Sequence, residues 1–340
     1  MTRALDDEAL LPLADALAAG DWVSGEALAA TAGVSRAALA KRIAQIEAWG
    51  LDIEARPGLG YRLTAPLQRL DAAAIHAGLS PEAQARLAGL KVALRVDSTN
   101  QRLIEAPSAD DPQVLFAEAQ TAGRGRRGRD WRSPFGANLY LSLAWSFAGW
   151  PPKLGTLPLA IGVATARALT AAGVSGVQLK WPNDLRVAEA KLGGILIESR
   201  SEIGGACRVI IGLGLNVAMT AGQAAGVDQA WTSVHAVQAA SGLACCSRNA
   251  LATGVLDALL AALASFEQQG FASFLDDWNR LDLAAGREVR IEGSKPLEGR
   301  ACGIDADGAL IVETADGQRH HLHAGEVSLR LPLSVPVAAA

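Results

Sequence analysis

Gly123-Arg124-Gly125-Arg126-Arg127-Gly128-Arg129, followed by Asp130-Trp131, decides how the middle of this 340-residue chain is read. Four arginines and three glycines in seven residues do not pack as a core element, because like charges repel and glycine leaves the backbone free. The run reads as a mobile cationic loop that orders when an anion arrives. The planar guanidinium fork suits phosphate or carboxylate. A nucleic-acid-binding Arg-Gly tract is the other reading. The run is short and sits between two strand-like segments of a folded region, which favours a small anion.

Outward from the loop, strand-like runs cover 91–96, 114–120, 138–145, 177–181, 193–198 and 209–215. They alternate with helical stretches at 157–172 and 250–269. This pattern gives an α+β region on a mixed sheet. Three further motifs sit at its strand ends. In Lys180-Trp181-Pro182-Asn183-Asp184, Lys180 ends a strand, Pro182 blocks its continuation and Asn183-Asp184 form a polar turn. Lys191 stands before the pair Gly193-Gly194, where a ligand can approach the backbone closely; a solvated lysine is the bland alternative. Asp97-Ser98-Thr99-Asn100 reads as a helix cap or as a hydrogen-bonding pocket for a neutral polar ligand, and alone the cap is favoured. Ile211-Gly212-Leu213-Gly214-Leu215-Asn216 lacks the third glycine of a dinucleotide loop, so Gly212 and Gly214 are expected to let flat ligand parts lie on the strand.

The flanks differ from this middle. Residues 1–66 show short helical stripes and a hairpin: Ser24 and Ser35 as caps, Leu39, Ile43 and Ile46 inward, then 51–55 and 61–63 around Pro57-Gly58-Leu59-Gly60. A winged helix-turn-helix is expected, with Ser35, Arg36, Lys41 and Arg42 on the helix that would enter a major groove. Its six basic and nine acidic residues give a net charge of −3, so DNA contact would rest on locally placed cations or on dimerisation; a protein-interaction module is the alternative. The stretch from Pro66 to Pro81 reads as a linker. From residue 286 short strands are split by Asp307-Gly308 and Asp316-Gly317, which fits a small SH3-like β-barrel, and the tail 332–340 is expected to fray. The domains expected are therefore 1–66, 67–285 and 286–334.

Composition narrows the function classes. Half of the chain is apolar, and 31 basic against 35 acidic residues leave −4, which argues against a general electrostatic coat for nucleic acid or membrane. Four cysteines without CxxC spacing read as reduced thiols, and the acidic N-terminus does not resemble a signal peptide. A cytoplasmic, non-membrane protein is expected. His320, His321 and His323 read as surface histidines rather than a metal site, since no fourth ligand is evident.

Together these motifs resemble the bifunctional biotin protein ligase and biotin operon repressor family over nearly the whole chain. The resemblance is carried by the glycine–arginine loop with Lys180–Asp184, supported by Asp97–Asn100, Gln120 to Trp131, Ser133–Ser142, Lys191–Glu198 and Gly212–Asn216. It implies that biotin and ATP give biotinyl-5′-AMP, which then acylates a lysine of a biotin carboxyl carrier protein. It places Arg124, Arg126 and Lys191 as catalytic cations. It assigns Ser98, Thr99, Asn100, Gln120, Gly123, Arg124, Gly125, Arg126, Lys191 and Gly194 to the biotin or adenylate, and Trp131, Asn183, Asn216 and Trp231 to ATP and adenine. Asp184 would assist Mg²⁺, the segment 219–231 would close over the adenine, and adenylate would favour a homodimer on operator DNA. A ligand-sensing transcription regulator without ligase activity and a lipoate–protein ligase are the alternatives.

Overall fold

The fold was analysed in a computed structural model, which describes residues 7–107, 111–201, 205–293, 296–324 and 328–330. After a 3-10 turn (Asp7–Leu10) come α1 (Leu11–Ala16), α2 (Gly25–Thr31) and α3 (Arg36–Glu47). The expected caps are in place. Ser24 Oγ accepts from Ala27 N at 3.1 Å and Ser35 Oγ from Ala38 N at 3.3 Å, each satisfying a backbone donor that the first helical turn leaves unpaired. Leu28, Leu39, Ile43 and Ile46 are buried between the helices. β1 (Ile53–Arg56) and β2 (Gly60–Leu63) form the hairpin, with Ile53 opposite Leu63. Gly60 has φ +105°, and a Cβ there would lie 2.0 Å from Val23 O, so only glycine lets β2 dock beside the turn before α2.

The expected linker is folded. Asp71 caps α4 (Ala72–Gly78) and Ser80 caps α5 (Pro81–Arg86). Then follow β3 (Gly89–Val96), α6 (Thr99–Glu105), β4 (Gln113–Gln120), β5 (Leu139–Phe147) and α7 (Leu157–Ala171). The rest of the sheet comes from β6 (Val177–Lys180), β7 (Asp184–Val187), β8 (Ala190–Ser201) and β9 (Cys207–Leu215), before α8 (Val234–Ala240), α9 (Arg248–Gln269) and α10 (Leu275–Leu281). These strands make a seven-stranded sheet in the order β3-β4-β5-β9-β8-β7-β6. Only β3 and β4 run parallel, joined through α6 as a crossover; the other pairs are antiparallel. β7 corrects the sequence reading: Asp184 is not in a turn but pairs with Lys180 across a tight hairpin. The linker helices miss detection because their anchors are distant. Asp257 on α9 accepts from Ser80 Oγ at 2.7 Å, and Thr253 donates to Ile75 O at 3.3 Å.

The apolar faces of α7 and α9 cover one side of the sheet and bury Leu159, Val163, Leu256, Leu259 and Leu263 with Trp181 and Leu213. Residues 154–171 and 248–281 are long and apolar enough by composition to cross a membrane, and 61% and 50% of their most apolar windows are buried inside the structure, as core helices are. Beneath the linker, Arg248 Nη1 meets Glu118 Oε2 at 2.9 Å, both side chains 2% exposed. Glu118 also accepts from Leu70 N, and Arg248 donates to Gln68 O and Asn138 O. Both carboxylate oxygens of Glu118 and both terminal nitrogens of Arg248 are thus partnered, while Arg248 Nε has no partner among the described residues; a buried charge needs such partners to offset its lost hydration.

The C-terminal strands β10 (Glu288–Glu292), β11 (Leu297–Ile304), β12 (Leu310–Glu313), β13 (Arg319–Leu322) and β14 (Ser328–Arg330) form a five-stranded antiparallel sheet in the order β13-β12-β11-β10-β14. Trp181 Nε1 donates to Gly308 O at 3.1 Å and so links this sheet to the Lys180–Asp184 hairpin. The tail 332–340 lies outside the described residues.

Candidate functional site

Strand ends and the cationic loop enclose a cavity of about 140 Å³. Its walls carry Arg124, Arg126, Arg127, Arg129, Lys180, Arg186, Lys191 and Arg330, against two acids among the described residues, Asp130 and Asp184. Burial and crowding oppose the charge on three of them. Lys180 is pushed down to about 8, first by burial and then by Arg186 beside it. Arg126 is lowered by burial and by repulsion from Arg127, and Arg186 is lowered by burial. Such a cavity favours a polyanion, which would restore the solvation these cations have lost.

At one end the strand termini form a polar cluster. Ser98 Oγ caps α6, and Thr99 N donates to Gln120 Oε1 at 2.8 Å. Gln120 Nε2 donates to Ser133 Oγ at 3.0 Å. Asn100 lies over Gly212, where a Cβ would come within 2.3 Å of Asn100 Oδ1. Ser142 Oγ sits 2.6 Å from that oxygen and Asn100 Nδ2 donates to Glu198 Oε2 at 2.8 Å. Cap and pocket are therefore not alternatives: Ser98 caps the helix while the same segment lines the cavity. Asn100, 4% exposed, spends its amide on the protein.

The loop is folded into a tight turn. Arg124 and Asp130 pair across it, Gly125 N donates to Arg129 O at 2.6 Å, and Arg127 adopts φ 58°. Gly123 is demanded by crowding, since a Cβ there would be 2.7 Å from both Ser133 Oγ and Trp131 O. Arg126 reaches Asn183 Oδ1 at 3.2 Å and also donates to Ala324 O of the C-terminal region. Lys191 Nζ lies 2.9 Å from Asp184 Oδ1 and 5.3 Å from the centre of the Trp131 ring. Gly194 borders both Lys191 and Trp131 at 3.4 Å from its would-be Cβ. The expectation that Gly212 and Gly214 leave room for a flat ligand is modified: here Asn100 and Trp131 occupy that room.

Trp131 stands between this cavity and a second of about 470 Å³. Gln120, Asp130, Lys191 and Gln229 border both; Asn216, Met219 and Trp231 line the second. Asn216 Nδ2 donates to Lys191 O at 3.3 Å and to Thr232 O at 3.1 Å, so its amide ties the end of segment 219–231 to the lysine-bearing strand. Lys191 and Trp231 also pair along the backbone. Segment 219–231 packs through Met219, Ala224, Val227 and Trp231 around Ala137.

On the N-terminal helices, Arg36 and Lys41 are exposed on α3, Ser35 is committed to its cap, and Arg42 donates to Ala32 O at 2.8 Å. Arg56 and Arg62 of the hairpin flank Trp22, 5.3 and 4.8 Å from its ring centre. The sequence reading missed Glu198, Ser142, Lys180, Arg186 and Arg330 as site residues. Lys180 and Glu198 stood within quoted motifs, but nothing local signalled that they face this cavity or its loop.

Three family patterns match the chain: an HTH domain at residues 16–62, the Biotin/lipoate A/B protein ligase family at 92–216, and the Biotin protein ligase C terminal domain at 285–330. The bifunctional ligase/repressor BirA of Escherichia coli is 42% identical over 332 residues, covering 96% of this chain and 98% of that one. Its counterpart from Salmonella typhimurium is 42% identical over 325 residues, covering 94% and 97%. Among solved structures, biotin protein ligase from Aquifex aeolicus in complex with biotin and ATP matches with a TM-score of 0.60 and 28% identity, covering 72% of this chain and 99% of that one. The chain belongs to the bifunctional ligase/repressor family of biotin protein ligases.

Proposed function

We propose that the paired cavities are the site of an ATP-dependent biotin–protein ligase. The biotin carboxylate attacks the α-phosphate of ATP, giving biotinyl-5′-AMP and pyrophosphate. A lysine amine of a biotin carboxyl carrier protein then attacks the acyl carbon and AMP leaves. The observation that carries this is the meeting of Arg124, Arg126, Lys180, Arg186, Lys191 and Arg330 around one cavity that shares Trp131 as a wall with a second. A carboxylate attacking a phosphate brings two anions together, and preorganised cations offset that repulsion.

Arg126 and Lys191 would act on the reacting groups, with Arg124 at the loop's base. The Ser98–Asn100 and Gln120 cluster, with Gly125 and Gly194 in the same cavity wall and Gly123 letting the loop turn close to Gln120, would take the neutral ring of biotin. Trp131, Asn183, Asn216 and Trp231 would frame the nucleotide, Asn216 acting through the segment it pins. Mg²⁺ prefers one or two carboxylates plus phosphate oxygens and water. Asp184 is a single carboxylate at the cavity wall, 2.9 Å from Lys191, and fits that sparse role. The ion would neutralise pyrophosphate charge.

The division 1–66, 67–285 and 286–334 assigns these regions to operator DNA, to ligase chemistry and to an SH3-like barrel. The bulge between Ala301 and Ile304 supports the barrel, since bulges bend strands toward closure. Adenylate binding would favour a homodimer and place two α3 helices on a palindromic operator. Pyrophosphate release measured with ATP and either biotin or lipoate, followed by labelling of a carrier domain, tests the reading. Biotin-dependent release and a single labelled lysine support it; lipoate preference, or no release with either acid, overturns it.

A further inference from the structure

Glu198 lies on β8, beyond the glycine pair and outside every role assigned above. One of its carboxylate oxygens, Oε2, accepts two hydrogen bonds: from Asn100 Nδ2 at 2.8 Å and from Arg124 Nη2 at 2.9 Å. These donors belong to two separate halves of the site. Asn100 opens the helix that follows the strand-end cluster, and Arg124 is the first arginine of the cationic loop. We propose that Glu198 is a positioning residue for the ligase reaction, a latch that fastens the root of the arginine loop to the polar strand end; this rests on the ligase assignment made above.

The local physics supports a latch rather than a bystander. Asn100 has little freedom: Gly212 lies beneath it, Ser142 Oγ sits 2.6 Å from its Oδ1, and Leu196 O accepts a second, longer bond of 3.4 Å from its Nδ2. The carboxylate is thus aimed by a fixed partner on one side. On the other side it meets the guanidinium of Arg124, which the seven other cations lining the cavity among the described residues would otherwise push outward. A charge-assisted bond between Arg124 and Glu198 answers that repulsion at the point where the loop leaves the sheet. The pair is partly exposed, at 39% and 31%, so the contact holds reversibly and does not lock the loop. Glu198 borders neither cavity, so it touches no reacting atom and acts through Arg124 and Asn100.

A latch predicts a specific kinetic signature. Loosening the loop root should weaken capture of the acid and retention of the adenylate, while chemistry at saturating biotin stays close to normal. The test uses the full chain with Glu198→Gln, which keeps an oxygen for Asn100 but removes the charge facing Arg124. Glu198→Asp serves as the charge-preserving control. Expected are a roughly tenfold rise in KM for biotin, kcat for pyrophosphate release and KM for ATP within about twofold of the parent, and several-fold faster escape of adenylate, with Glu198→Asp nearer to the parent on each (a tenfold effect is about 1.4 kcal/mol). An unchanged KM for biotin with unchanged adenylate escape overturns the proposal. So does a proportional loss in kcat and in both KM values with a lowered melting temperature, which would mark a structural residue. Failure of the parent chain to release pyrophosphate with biotin and ATP contradicts the ligase assignment itself, a result separable from either variant outcome.

Discussion

A Cβ placed on Gly214 would lie 2.4 Å from Cε2 of Trp131. The missing side chain at 214 is therefore what allows the indole to rest against the central strands, with Lys191 Nζ 5.3 Å from its ring centre. Trp131 follows the arginine loop, so a glycine on β9 sets the position of a segment 83 residues earlier in sequence. Gly214→Ala should displace the ring. A shift of about 1 Å in a reacting arrangement can cost ~100-fold, and kcat/KM for pyrophosphate release is expected to fall by that order with the melting temperature little changed. Wild-type activity in Gly214→Ala would show that the indole position is immaterial.

Lys180 gives the site a pH dependence. Its pKa is depressed to about 8 by burial, so its charge is lost as pH rises through that value. If that charge attracts ATP phosphates, KM for ATP rises above about pH 8, and Lys180→Met abolishes this rise. For stability the sign is opposite to that of a paired lysine. The folded chain binds fewer protons here than the unfolded chain between about 8 and the ordinary 10.5, so this group's unfavourable contribution is full below 8 and fades as pH approaches 10.5. Lys180→Met should therefore stabilise the chain most at neutral pH, as read from urea unfolding at pH 7 and pH 10.

The Arg248–Glu118 pair concerns stability alone. Both side chains are 2% exposed, and Arg248 binds Gln68 O and Asn138 O as well. Breaking a buried pair by removing one partner costs about 3–5 kcal/mol. Arg248→Ala should lose that much in chemical denaturation, whereas a loss below about 1 kcal/mol would mean that water reaches Glu118 in the native state.

Much of the architecture was legible because its signals are local. Ser24 and Ser35 sit at the starts of the helices they cap, Asp-Gly turns separate the C-terminal strands, and short strand-like runs marked most of the large sheet. What escaped depends on distant partners. The short helices α4 and α5 hold through Thr253 and Asp257 on α9, and the strand beginning at Asp184 is defined by its hairpin with Lys180. The same reason hid Glu198, whose two donors lie 98 and 74 residues away. The resemblance gave Asn216 a place beside the nucleotide; its amide binds backbone on two segments, Lys191 O and Thr232 O, which no local signal shows.

DNA contact should separate cleanly from ligation. Arg36 and Lys41 are exposed on α3, far in sequence from the ligase cavity. A side chain that touches phosphate contributes about one unit to the salt slope of binding. Lys41→Ala should reduce that slope by about one in operator titrations while leaving biotin-dependent pyrophosphate release unchanged. An unaltered slope and affinity would place operator contact elsewhere on the chain.

The central claim is that the arginine loop holds the activated acid until an acceptor amine arrives, with Arg126 joining the loop to Asn183 and to Ala324 O. A loop that excludes water protects a mixed anhydride from hydrolysis. The most direct measurement compares Arg126→Gly with the parent for adenylate released into solution and for lysine labelling on a bystander protein. The account predicts rapid escape of biotinyl-5′-AMP and labelling of many lysines by the variant; equal retention by variant and parent, with labelling confined to the carrier lysine in both, would contradict it.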